Sequence, residues 1–362
     1  MLLTVIIFII LLGALVLVHE WGHFIVARKF GVRVEEFAFG FPPRIFSFVR
    51  HGTRYALNLI PIGGYVKIYG ESGPPAGGDE RDGESFSSRS LGQRLAIIAA
   101  GVGMNVVLAW ALFSGGHAIG LPTVLGEGEG TGEAAVTVIS IAPSSPAEKV
   151  GLRFGDVIRT LRVGSEDMAI RRIEDVQKFI DAHRGEKITL RLSRGQELVE
   201  QAGVARKEPP PGEGALGIAM ANVGIVRSSW WKAPWDGAKT TVSAVVAIVG
   251  ALGRTVRDLF STGELPADVS GPVGIFVFAN ESRRLGFSYL LELAGILSVN
   301  LALLNILPIP ALDGGRILFL FIEGVRGVKI NQKIEQAIHT VGFALLLLLM
   351  AAITYRDVVR IL

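Results

Sequence analysis

LLGALVLVHEWGHFIVARKF, Leu11 to Phe30, sets two histidines and a glutamate inside an apolar run. The run begins at Leu2, and Leu2 to Ala27 is long enough to cross a bilayer as a helix, at about 20 residues per crossing. Ionisable groups at that depth are costly unless they face a partner or a polar cavity. His19 and His23 are four apart, so on a helix they stack on one face, with Glu20 on its flank. His-Glu-x-x-His is the pattern of two ligands and a general base in zinc hydrolases. The residues alone leave a second reading open, a polar trio bonded to neighbouring helices.

A catalytic zinc takes three protein ligands and keeps one position open. The chain has no cysteine, so the third ligand must be His, Asp or Glu. Asp313 is the candidate, in NILPIPALDGG (Asn305 to Gly315) at the end of another apolar run. Pro308 and Pro310 break a helix there, and Gly314 and Gly315 loosen the backbone after it. A helix cap or an ion pair with Arg316 is the alternative role for Asp313. His51, His117, His183 and His339 are expected as surface or capping residues. Asn105, polar within a second apolar run, is expected in an interhelical hydrogen bond.

Half of the 362 residues are hydrophobic, and the mean hydropathy is +0.46. That composition predicts a polytopic α-helical membrane protein rather than a soluble enzyme. A net charge of +3 without a basic cluster predicts no nucleic-acid partner; the charge suits loops facing membrane lipid. The first run has no basic residue before it and no small-residue cleavage site, and its apolar stretch is too long, so it reads as a retained span rather than a signal peptide. Four spans are expected, near Leu2–Ala27, Leu91–Ile119, Tyr289–Leu307 and Ile338–Ile353. Arg28, Lys29, Arg33, Arg44, Arg50 and Arg54 after the first span put residues 28 to about 90 in the cytoplasm by the positive-inside rule.

Val32 to Tyr69 is rich in β-branched and aromatic residues, with a hairpin turn at RHGT (His51 and neighbours), and predicts a membrane-associated β-element. Gly70 to Gly83 reads as a polar, flexible tract. The expected division is an N-terminal membrane part, 1–120, then a charged α+β domain, 121–207, closed by KEPPPGEG. A linker with interfacial amphipathic helices, 208–285, leads to a C-terminal membrane part, 286–362. Trp230, Trp231 and Trp235 place the segment before Leu259 at the headgroup region rather than across the bilayer.

HEWGH, GPVGI (Gly271 to Ile275) and NILPIPALDGG together resemble the site-2 protease family of intramembrane zinc metalloproteases. GGYVKIYGE (Gly63 to Glu71) narrows the resemblance to its bacterial RseP-like group. The resemblance implies a Zn²⁺ cofactor held by His19, His23 and Asp313, with Glu20 activating water. It implies that Asn305 contacts the substrate backbone. Gly63, Gly64, Tyr65, Val66, Lys67 and Ile68 would take the substrate as an added strand. It makes 121–207 a single extracytoplasmic PDZ domain, where enterobacterial members carry two. No carboxylate-binding loop is obvious there, so exclusion of large ectodomains is its expected role. AAGVGMN lacks the proline that the family often has after the glycine. The implied activity is endoproteolysis of transmembrane segments of single-pass membrane proteins, anti-sigma factors or remnant signal peptides, in the bacterial cytoplasmic (inner) membrane with the active site toward the cytoplasm. Two rival classes are a non-proteolytic PDZ scaffold with a structural zinc, and a metal transporter. The latter needs more polar groups along several spans than this chain has.

Overall fold

The computed structural model describes residues 2–71, 83–125, 134–195, 197–210, 212–262, 271–328 and 330–361. The polar tract expected after Gly70 lies outside the described residues over 72–82, as does Pro211. The chain forms two compact units, one drawn from 1–114, 237–277 and 293–362, the other from 115–236 and 278–292.

The chain opens with helix α1 (Leu2–Lys29), strands β1 (Val34–Arg50) and β2 (Thr53–Ile68), and helix α2 (Leu91–Ile119). The expected turn is present: Arg50 pairs with Thr53, and His51 and Gly52 take positive φ. The strand-rich segment is one long hairpin, however, and it doubles back on itself. Glu36 to Phe39 pair on one side with Gly64 to Lys67 and on the other with Arg54 to Leu57. Pro42 and Pro43 stand at the fold of β1, where a residue without an N–H is tolerated. The outer run, Gly64 to Ile68, therefore has a ladder partner on one side only among the described residues.

The second unit is built on β3 (Leu121–Val124), β4 (Ala135–Ile141), α3 (Pro146–Lys149), β5 (Val157–Val163), β6 (Glu166–Ala169), α4 (Ile173–Ala182), β7 (Lys187–Arg194), β8 (Glu197–Val204) and β9 (Ile218–Val226). The sheet order is β3-β9-β4-β5-β7-β8, with β6 on β5. Alternating residues Ile188, Leu190 and Leu192 of β7 meet Val176, Phe179 and Ile180, one face of α4, in a closed apolar core. The sequence reading ends this domain at Lys207. The structure instead inserts β9 between β3 and β4. The Pro/Gly-rich segment is a turn within the domain, spanned by the Arg206 N–H donating to the Ala215 carbonyl at 2.9 Å. Proline and glycine mark a turn equally well inside a domain and at its edge.

Among the described residues the helices that follow are α5 (Ala233–Thr262), α6 (Pro272–Leu285), α7 (Phe287–Ile306), α8 (Asp313–Arg326) and α9 (Gln332–Ile361). Among the described residues four helices are long and apolar enough to cross a membrane: α1, α2, α7 and the 333–359 portion of α9. These are the four spans expected from hydropathy; α5 is not among them. GPVGI acquires a structural reason. Asp357 of α9 accepts from the backbone N–H groups of Gly271 and Gly274, both at 2.9 Å, and so caps the start of α6.

Candidate metal centre

α1 presents His19 and His23 one turn apart, ring centroids 4.9 Å apart, both buried. α2 crosses them closely. A Cβ at Gly22 would lie 2.3 Å from the Ala100 carbonyl oxygen, and one at Gly101 would lie 2.3 Å from His23 Nε2. Only glycine lets the helices approach so nearly. The approach brings the backbone of α2 to the rings: His23 Nδ1 donates to the Ile97 carbonyl at 2.9 Å. That bond leaves Nε2 as the lone-pair nitrogen. His19 Nδ1 has the Asn105 side-chain amide at 3.2 Å. With the proton on Nδ1, the amide oxygen is the complementary atom, and a half-turn of the amide supplies it. The same half-turn relieves Asn105 Oδ1, which is otherwise buried without a partner. Ser298 of α7 in turn donates to the Asn105 carbonyl at 2.8 Å.

Asp313 arrives from far along the chain as the first residue of α8. Arg94 of α2 grips Glu323 of α8 through two hydrogen bonds, 3.0 and 2.5 Å, which fixes that helix against α2. Asp313 Oδ2 lies 3.0 Å from His19 Nε2 and 3.3 Å from His23 Nε2, and the two nitrogens are 3.2 Å apart. Zinc held at about 2.0–2.1 Å by imidazole and carboxylate sets tetrahedral neighbours about 3.3 Å apart. The three atoms fit that edge length. Oδ2 is moreover buried without a hydrogen-bond partner, as a ligand atom facing a cation would be. The expected alternatives, a cap or an ion pair with Arg316, are not what the structure places around Asp313. Arg316 pairs with Glu71 instead.

Glu20, His23 and Asp313 line a cavity of about 270 Å³ together with Tyr65, Ile68 and Arg316. Val66 also faces it. Gly64 lets β2 approach α1, since a Cβ there would lie 3.3 Å from Val16 Cγ1, with Glu20 Cγ in ordinary contact beyond it. Lys67 turns elsewhere, to Glu35 at 2.8 Å, and Gly63 sits at φ +98° against the Phe41 ring. Asn305, at the end of α7, brings its amide nitrogen 3.4 Å from His19 Nε2.

Comparison with known proteins now bears on this geometry. The model of peptidase family M50 matches residues 7–349. The chain belongs to peptidase family M50. It is similar along nearly its whole length to members named zinc metalloprotease RasP. The one from Oceanobacillus iheyensis is 30% identical over 437 residues, covering 99% of each chain. The one from Bacillus licheniformis is 30% identical over 438 residues, again covering 99% of each. An M50 chain with four apolar helices of spanning length is a multi-pass membrane peptidase.

Two expectations about polar residues in this M50 chain need restating. Asn105 does make an interhelical hydrogen bond, and its partner is His19 itself. His339 is not a surface or capping residue: its Nδ1 accepts from the Ala311 N–H at 2.9 Å, two residues before Asp313. A lone polar residue in an apolar span signals a partner without naming it, because helical spacing fixes a face and not the neighbour that covers it. His183 is a capping residue as expected, its Nδ1 donating to the Phe179 carbonyl at 2.9 Å.

Proposed function

We propose that the chain is a zinc-dependent intramembrane endopeptidase that cuts transmembrane segments of single-pass membrane proteins. The observation that carries this is the convergence of His19 Nε2, His23 Nε2 and Asp313 Oδ2 within 3.0–3.3 Å of one another, beside a cavity that Glu20 lines with His23 and Asp313. A zinc ion held by His19, His23 and Asp313 would supply Lewis-acid polarisation of the scissile carbonyl and a water with a pKa of about 7. Glu20 takes the proton of that water and delivers it to the leaving amine. Asn305 offers an amide donor to the substrate backbone at the reacting peptide. A transmembrane helix hides its peptide bonds in internal hydrogen bonds, so the substrate must unwind before it is cut. The one-sided edge Gly64–Ile68, with Tyr65, Val66 and Ile68 on the cavity, replaces the lost bonds by taking the substrate as a strand.

Anti-sigma factors and remnant signal peptides are the substrate classes, in the bacterial cytoplasmic membrane with the site toward the cytoplasm. The β3–β9 unit is a single PDZ domain outside the cytoplasm and excludes untrimmed ectodomains. The deciding experiment pairs metal analysis with cleavage of a single-span substrate by the wild type and Glu20→Gln. Retained zinc with cleavage reduced by about 10²–10⁴-fold is expected. Full biological activity in Glu20→Gln would make the zinc structural and the chain a scaffold.

A further inference from the structure

Asp313 is held by a turn with an unusual backbone. Ala311 has φ +81°, a conformation that side chains other than glycine rarely adopt. Something must over-determine that turn for it to persist. Within the turn, Ile309 N–H donates to the Leu307 carbonyl (2.7 Å) and Leu312 N–H to the Ile309 carbonyl (3.2 Å). The Ala311 N–H leaves the turn altogether and donates to His339 Nδ1 on α9.

The surroundings of His339 suit an acceptor. Nδ1 must carry the lone pair, so the proton belongs on Nε2, which makes no hydrogen bond among the described residues and has the Glu335 carboxylate 4.0 Å away. The ring packs on Phe319 of α8, centroids 5.4 Å apart. One turn further along α9, Gly342 admits Pro310, since a Cβ there would lie 2.4 Å from Pro310 Cβ. α9 thus touches both the turn that precedes Asp313 and the helix that carries it.

We propose that His339 is a positioning residue for the metal centre: by accepting from the Ala311 N–H it holds the turn at positive φ and so sets the Asp313 carboxylate against His19 and His23. The inference rests on the ligand assignment made above. Outer partners that orient a ligand typically govern metal affinity by about 10–100-fold. His339 acts here on the backbone that carries the ligand, not on the ligand itself.

Asparagine and leucine share a shape, and the oxygen of asparagine stands where Nδ1 of histidine does. The test is zinc affinity of the purified full chain in detergent, by competition with a chromogenic chelator, for His339→Asn, His339→Leu and Asp313→Asn. His339→Leu should weaken zinc by about 10–100-fold, and His339→Asn should stay close to the wild type. Adding Ala311→Gly to His339→Leu should recover affinity, since glycine adopts positive φ without help. Should His339→Leu fail to fold, His339→Ala carries the same comparison with His339→Asn. Equal affinity in the asparagine and leucine variants, with zinc weakened in Asp313→Asn, overturns this inference alone. Undiminished zinc in Asp313→Asn overturns the ligand assignment and this inference with it.

Discussion

The two units bury charge in opposite ways. In the sheet unit Asp156 is fully buried, and Arg194 answers it with two hydrogen bonds of 2.7 Å. Donor meets acceptor there, for Asp156 also accepts from the Arg153 N–H at 2.9 Å and Arg194 donates to the Gly151 carbonyl at 2.8 Å. In the helical unit two buried histidines and the half-buried Asp313 aim lone-pair atoms at one another, and the imidazole protons are spent on Ile97 and, through the flipped amide, Asn105. These three atoms offer one another only lone pairs, and the Asn305 amide reaches His19 Nε2 alone, at 3.4 Å, so a cation is what completes the set. Burial of charge by itself is therefore no mark of a site. The mark is which partner is missing.

The sharpest way to break this contrast is to open the closed pair. Arg194→Met leaves the buried Asp156 carboxylate with the Arg153 N–H but without its cation, and should destabilise the sheet unit by about 3–5 kcal/mol, read by denaturant unfolding. Zinc content should not change. A loss of zinc in that variant would mean that the two charge clusters are not independent.

The sheets also differ at their edges. β8, the last strand of the large sheet, carries Glu197 and Glu200 along its length, and Glu200 pairs with Arg191. Such charges blunt an edge against added strands. The edge Gly64–Ile68 instead lines the cavity with Tyr65, Val66 and Ile68. Val66→Pro should reduce proteolysis of a single-span substrate by about tenfold or more while zinc content stays intact, since proline removes a strand donor. Unchanged cleavage would show that the edge does not take the substrate.

The smallest expected effect lies at the start of α4. Asp175 accepts from the Arg171 and Arg172 N–H groups at 3.1 and 2.9 Å, which lower its pKa. Its folded value sits below the unfolded one of about 3.9. Its contribution is thus complete above that pH and is lost as pH falls through the folded value. Thermal unfolding of Asp175→Asn should lose a small pH-dependent component below about pH 4 that the wild type shows. Identical pH profiles would remove the carboxylate from the cap.

How much was legible beforehand follows from the range over which each signal acts. The four spans could be read from hydropathy, because a bilayer imposes the same length on every helix that crosses it. The stacking of His19 and His23 followed from a separation of four, since helical period fixes a face. The hairpin turn at His51 and Gly52 was written in its own residues. Local periods and solvent preference act over a few turns of chain, and sequence alone determined what depends on them.

Tertiary structure decided the rest. It chose Asp313 as the partner of two histidines almost three hundred residues earlier, through the close crossing at Gly22 and Gly101 and the Arg94–Glu323 grip. It folded one hairpin back to leave Gly64–Ile68 an edge, drew β9 into the middle of a sheet, and set His339 beneath the Ala311 turn. The physical reason is common to all of these. A pattern along the chain says which face must be covered, whereas the atom that covers it is selected by how whole elements pack, and no local spacing records that.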